Sequence, residues 1–154
     1  MKKRTIILTL IMLFVGLTMC FASNAHLGTW KLNEAKSKLV PGTQKNVTAS
    51  YEVAGDNIKA TLDGVDGKGN PTHSEWTGKF DGKDYPVTGD AISDMRSYKT
   101  IDDHTLEVAA KKGGKVIITG KISISADGKT RTVTLSGMDA AGKKITSTMV
   151  YDKQ

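Results

Sequence analysis

From Asn46 to the C-terminus the chain is cut at short, even intervals by turn-forming residues, and that spacing restricts its fold more than any other feature. The breaks fall at Gly55-Asp56-Asn57, Asp66-Gly67-Lys68-Gly69-Asn70, Asp81-Gly82-Lys83, Gly89-Asp90, Asp102-Asp103, Gly113-Gly114-Lys115, Asp127-Gly128-Lys129 and Ala141-Gly142-Lys143. Asp-Gly and Gly-Gly pairs supply the positive φ that tight hairpin loops require. The intervals leave no room for crossover helices, so parallel βαβ units are excluded and an antiparallel meander remains. Twelve of the 16 acidic residues are Asp, mostly at these breaks, whereas Glu52, Glu75 and Glu107 fall inside the segments between them. With one further strand around Trp30, the spacing predicts about ten strands.

Between the breaks the residues alternate with period 2, which assigns faces. Val47, Ala49, Tyr51 and Val53 share one face, as do Ile58, Ala60 and Leu62, and then Trp76, Gly78 and Phe80. Leu106, Val108 and Ala110 follow, then Val116, Ile118, Ile122 and Ile124, then Val133 and Leu135, and finally Ile145, Ser147, Met149 and Tyr151. Lys59, Thr61, Asp63, His73, Glu75, Lys79, Glu107, Lys121, Thr132 and Thr134 occupy the opposite face. A sheet with one dry face can close into a barrel or fold into a sandwich, and closure removes the exposed edges. The segment Asn33–Val40, capped by Asn33 and stopped by Pro41-Gly42, predicts one short helix of about two turns after the first strand.

The first strand reads Gly28-Thr29-Trp30-Lys31-Leu32. Gly28 lets a neighbouring segment approach closely, and Trp30 has the apolar surface to plug a barrel end. In this position the stretch resembles the opening strand of the lipocalin and fatty-acid-binding protein superfamily, the calycins, with wording nearest the fatty-acid-binding branch. The resemblance implies an up-and-down β-barrel around a small-molecule cavity. Fatty-acid-binding proteins end in Arg-x-Tyr, which holds the ligand carboxylate. Tyr151 matches that tyrosine, while Met149 stands where the arginine would be. Lipocalins set an arginine near the C-terminus against the Trp, and no arginine follows Arg131. In general look the chain is similar to small exported lipocalin-like proteins of bacteria.

Residues 1–25 read as a signal peptide. Lys2, Lys3 and Arg4 form a charged n-region, Ile6 to Phe21 an apolar run, and Ser23-Asn24-Ala25 a small-residue cleavage site. An uncleaved anchor helix is the alternative, since the run approaches bilayer-spanning length. Leu17-Thr18-Met19-Cys20 resembles a lipobox, which would make Cys20 an acylated residue. Cys20 is the only cysteine, so a cleaved chain has no disulfide or thiolate chemistry. Of 22 Lys+Arg three sit in the n-region, leaving 19 against 16 Asp+Glu, and the lysines form no stripe along the sequence that suits nucleic acid. Residues 26–154 have the length of one domain with no linker inside it. The expected localisation is periplasmic or secreted, without a membrane span after cleavage, and the expected state is a monomer.

Trp30, Tyr51, Trp76, Phe80, Met149 and Tyr151 are the candidate ligand-binding residues, because small-molecule sites combine apolar walls with a few polar tips. The competing reading of each is simple core filling. No catalytic set stands out: Ser74 faces away from His73 and Glu75, which opposes a nucleophile and its base. His26 would become the amino terminus after cleavage and be exposed there, and His104 follows Asp102-Asp103 in a solvated turn. No metal or cofactor signature is present, since Asp63, Asp66 and Asn70 lack the spacing of a calcium loop. The expectation is an exported, non-enzymatic barrel that holds a small, mostly apolar, lipid-like or pigment-like molecule. The alternative is a filled-core barrel or sandwich that acts through its outer surface as an envelope interaction or inhibitor protein.

Overall fold

A computed structural model describes residues 24–139 and 141–154. The apolar leader and Cys20 lie outside the described residues. Ten antiparallel strands run in chain order: β1 Gly28–Leu32, β2 Lys45–Ala54, β3 Asn57–Val65, β4 Pro71–Gly78, β5 Tyr85–Thr88, β6 Met95–Asp102, β7 Thr105–Lys112, β8 Lys115–Ile124, β9 Thr130–Met138 and β10 Lys144–Lys153. Each pairs with its sequence neighbours, and β1 also pairs with β10, so the meander is a closed barrel. The closing seam sets Trp30 opposite Lys153 and Leu32 opposite Tyr151. No strand edge is left along that seam to recruit another chain.

The predicted two-turn helix is a single 3-10 turn, Glu34–Lys36. Asn33 does cap it, its Oδ1 accepting from the Lys36 N–H at 3.2 Å. Beyond Lys36, tertiary partners take over the backbone. Ser37 Oγ accepts from the Val150 N–H at 2.9 Å, and Lys38 exchanges backbone bonds with Thr148. An extended ladder along β10 satisfies these groups where an isolated second helical turn would not, because short helices are marginal alone. The chain then crosses one barrel end as a strap, residues 39–44, with Gly67 packed against the Gly42 carbonyl.

Alternation assigns most inner residues correctly: Ala49, Tyr51, Ala60, Leu62, Trp76, Leu106, Val108, Ile122, Ile124, Val133, Met149 and Tyr151 are all buried. Two assignments are corrected. Val53 is 67% exposed, because β2 runs on to its turn past the depth of the core. Val116 is 47% exposed, because the β7–β8 register shifts where Ile117 stands as an extra residue between the pairs Ala110–Ile118 and Lys111–Val116, and this puts Val116 on the outer face.

The two halves of the barrel are packed differently. Towards the end that carries residues 24–27 the interior is solid with aromatic rings. Trp76 lies stacked on Phe80, edge-on to Tyr85, and 4.8 Å from Tyr98 centroid to centroid. Gly78 makes this possible, since a Cβ there would fall 2.5 Å from Tyr85 Cγ. Trp30, fully buried, seals the same end, its Nε1 donating to the His26 carbonyl at 3.1 Å. The opposite end, ringed by the strap, residues 89–94, and the β7–β8 and β9–β10 turns, is open.

Candidate functional site

Two connected spaces occupy the open half. The outer one, about 420 Å³, is walled by Leu39, Ile92, Ile117, Leu135, Met138, Ile145 and Met149. The inner one, about 130 Å³, reaches Asn46, Tyr51, Arg96, Tyr98, Arg131 and Tyr151. Gln44, Ile92, Ile118, Leu135 and Met149 line both, so the apolar mouth leads directly to a polar floor. Ile92 is set over the mouth by Asp90, whose Oδ1 accepts from the Ile92 N–H at 3.1 Å.

Arg131 dominates the floor electrostatically. It is 2% exposed and has no carboxylate partner among the described residues. Its guanidinium carbon lies 4.3 Å from the Tyr51 ring centroid and 5.9 Å from that of Trp30. Nη2 donates to Tyr51 Oη at 2.8 Å, while Nε and Nη1 make no hydrogen bond. Tyr51 Oη lies 3.3 Å from Tyr98 Oη. Burial raises the Tyr51 phenol well above its ordinary value, with Arg131 acting the other way, and burial pushes the Tyr151 phenol up to about 12. Both phenols are therefore neutral at pH 7, and neither balances the arginine. Aromatic faces and one phenol oxygen stabilise the cation only in part, and burying an unpaired charge is expensive.

A second arginine, Arg96, is balanced. Its Nη2 donates to Asp90 Oδ2 at 2.9 Å, and Ser93 Oγ donates to the same oxygen. Arg96 also fixes the aromatic layer through its carbonyl, which accepts from Trp76 Nε1 at 2.9 Å.

Of the six residues nominated from sequence, Tyr51, Met149 and Tyr151 line the inner space. Trp30 seals the closed end, and Trp76 and Phe80 belong to the aromatic layer beneath the cavity. The Tyr151 hydroxyl donates to the Asn46 carbonyl at 3.0 Å, which ties β10 to the irregular start of β2. Sequence reasoning missed Arg131 and Tyr98. Arg131 precedes Val133 by two residues, so alternation alone directs it inward, and only its charge argued for the outside. Its guanidinium also reaches the Trp30 ring, which lies far from it in the sequence. Tyr98 belongs to β6, where alternation is too weak to fix a face.

The histidines differ. His26 is not exposed but buried at the closed end, edge-on to Phe80, with neither ring nitrogen hydrogen-bonded. Burial, followed by the Arg131 charge, lowers its pKa to about 4. His73 is exposed on the outer face, its Nδ1 2.6 Å from Asp63 Oδ1. Among the described residues no three His, Cys, Asp or Glu side chains come together in a way that would hold a metal ion. No protein-family model matches the chain, and no curated protein matches it in sequence.

Proposed function

We propose that this is an exported, non-enzymatic, calycin-like binding protein whose open half holds a small, mostly apolar molecule. The single observation that carries the reading is the apolar mouth of about 420 Å³ leading to the unpaired Arg131. The mouth has the size and composition of a small-molecule site. A ligand with an apolar body and one acidic or strongly hydrogen-bonding group would cover the mouth walls and bring a partner toward the Arg131–Tyr51–Tyr98 cluster. Side-chain adjustment around Arg131 would then exchange an uncompensated buried charge for a charge-assisted bond. The leader-like residues 1–25 support export.

The test is native mass spectrometry of the protein purified from its native host, followed by denaturing analysis of anything it carries. A stoichiometric small molecule is the expected result. In parallel, 1-anilinonaphthalene-8-sulfonate, an apolar anion, should bind the stripped protein and bind Arg131→Met at least about tenfold more weakly, the loss of one charge-assisted contact. A protein that carries nothing and binds no probe overturns the reading in favour of a barrel that acts through its outer surface.

A further inference from the structure

The open end carries a surface feature that extends beyond the cavity and shares only its rim. Among the described residues five large apolar side chains stand exposed, and three belong to this end: Ile92 at 45%, Val116 at 47% and Met138 at 68%. The other two, Val53 and Ile101, lie singly near the opposite end on strands β2 and β6. Ile92 and Met138 continue the apolar wall of the mouth out to the rim.

The same rim is basic. The β7–β8 turn carries Lys112 and Lys115, and the β9–β10 turn carries Lys143 and Lys144. All four are exposed, and none makes an ion pair among the described residues. Of the acids nearby, Asp90 is paired with Arg96 and also accepts from Ser93, while Asp139 accepts from the backbone N–H groups of Ala141 and Lys143 and Asp94 from Gly113, so two carboxylates face four lysines and the rim keeps a positive excess. Scattered along the sequence, these lysines form no stripe. Antiparallel pairing of β8 with β9, which sets Ile118 opposite Gly137, brings the two turns to one end.

We propose that the open end docks on an anionic lipid surface, with Val116, Met138 and Ile92 entering the headgroup boundary and Lys112, Lys115, Lys143 and Lys144 meeting the lipid charges. Exposed apolar tips among unpaired lysines are what interfacial attachment requires, since apolar burial and charge attraction add at a negatively charged bilayer. A second copy of the chain fits the same face poorly, because a twofold contact through this rim would set lysines against lysines. The inference goes beyond the ligand reading and does not depend on it. If both hold, the mouth faces the bilayer when the protein is docked.

The experiment is co-sedimentation of the chain from Asn24 onward, which contains all ten strands and the closing seam and omits the apolar leader that would itself bind lipid. Vesicles of phosphatidylcholine with phosphatidylglycerol are compared with phosphatidylcholine alone. Binding to the anionic vesicles is expected, and should weaken steeply as ionic strength rises from about 0.05 M to about 0.5 M. Lys143→Glu/Lys144→Glu and Val116→Asp/Met138→Asp should each reduce it by at least about tenfold, while Ile101→Asp at the other end leaves it unchanged. The rim substitutions fall on exposed side chains, and circular dichroism confirms that each variant is folded. Absence of binding to anionic vesicles, equal binding to neutral ones, or indifference to the rim variants overturns the proposal. A dimer dissociated by Val116→Asp/Met138→Asp would also overturn it and give the rim to a second copy.

Discussion

Arg131 and His26 are both buried with unpartnered nitrogens, and they lie on either side of the plug residue Trp30, Arg131 near its ring and His26 bonded to its Nε1 through the carbonyl. For Arg131 the cost of a desolvated, unpaired charge implies that an apolar side chain of similar length is tolerated. Arg131→Met should hold or raise the urea midpoint, by about 1–4 kcal/mol in stability, while weakening binding of the anionic probe. A variant that loses both would make the arginine purely a structural post. For His26 the neutral form is the one the fold accepts. Its pKa is near 6.5 in the unfolded chain and about 4 in the folded one, so the unfolded state binds the proton more readily. The stability that the neutral imidazole secures is intact above about pH 6.5 and is lost as pH falls through the window down to about 4. It totals about 3 kcal/mol. Equilibrium unfolding measured across that window should show the loss, and His26→Leu should flatten it. The surface carboxylates whose pKa values are lowered by their hydrogen-bond and ion-pair partners, Asp66, Asp81, Asp102, Asp127, Asp152 and Glu75, begin to lose those contributions as pH falls into the ordinary carboxylate range. Their loss overlaps the acid end of the His26 window and continues below it, and the His26→Leu comparison isolates the histidine's share.

At the scale of elements, one glycine decides how the aromatic layer forms. Gly78 ends β4 beneath the rings of Tyr85 and Trp76, and an added methyl would lie 2.5 Å and 2.7 Å from their carbons. Neither ring can retreat far, since Trp76 Nε1 is bonded to Arg96 O and Tyr85 Oη to Asp81. Gly78→Ala should therefore cost about 1–3 kcal/mol in denaturant unfolding and alter the near-ultraviolet circular dichroism of the layer. The strap shows the reverse balance, in which long-range bonds overrule local preference. Asn33 caps a turn as its side chain demands, yet Ser37 and Lys38 are drawn into the β10 ladder and the helix stops after Lys36. Alternation was legible wherever a strand keeps one register through the core, as in β3, β4 and β9. It misassigned Val116, where the β7–β8 register slips, because period 2 carries no information about inserted residues.

The whole molecule is a barrel with one filled half and one open half, and this asymmetry should appear in its dynamics. Backbone amides around Trp30, Ala60, Trp76 and Tyr98 lie in a layer of mutually packed rings and buried chain. Those at the β7–β8 and β9–β10 turns are exposed around an open mouth. Hydrogen exchange followed by mass spectrometry should find the first set protected nearly to the global unfolding limit and the rim turns exchanging by local opening. Uniform protection from end to end would contradict the division into halves. Closure also depends on the most distant pairing in the chain, β1 with β10, so the seam is the slowest contact to acquire in folding.

The residue pattern alone determined the strand count, the antiparallel meander and most of the inward-facing side chains, because turn chemistry and period-2 alternation are local properties. Tertiary structure alone decided which end is plugged, that Arg131 and Tyr98 share the floor of the cavity, and that four dispersed lysines meet on one rim. Those outcomes depend on barrel closure and strand register, which join residues far apart in the chain and leave no local mark on the sequence.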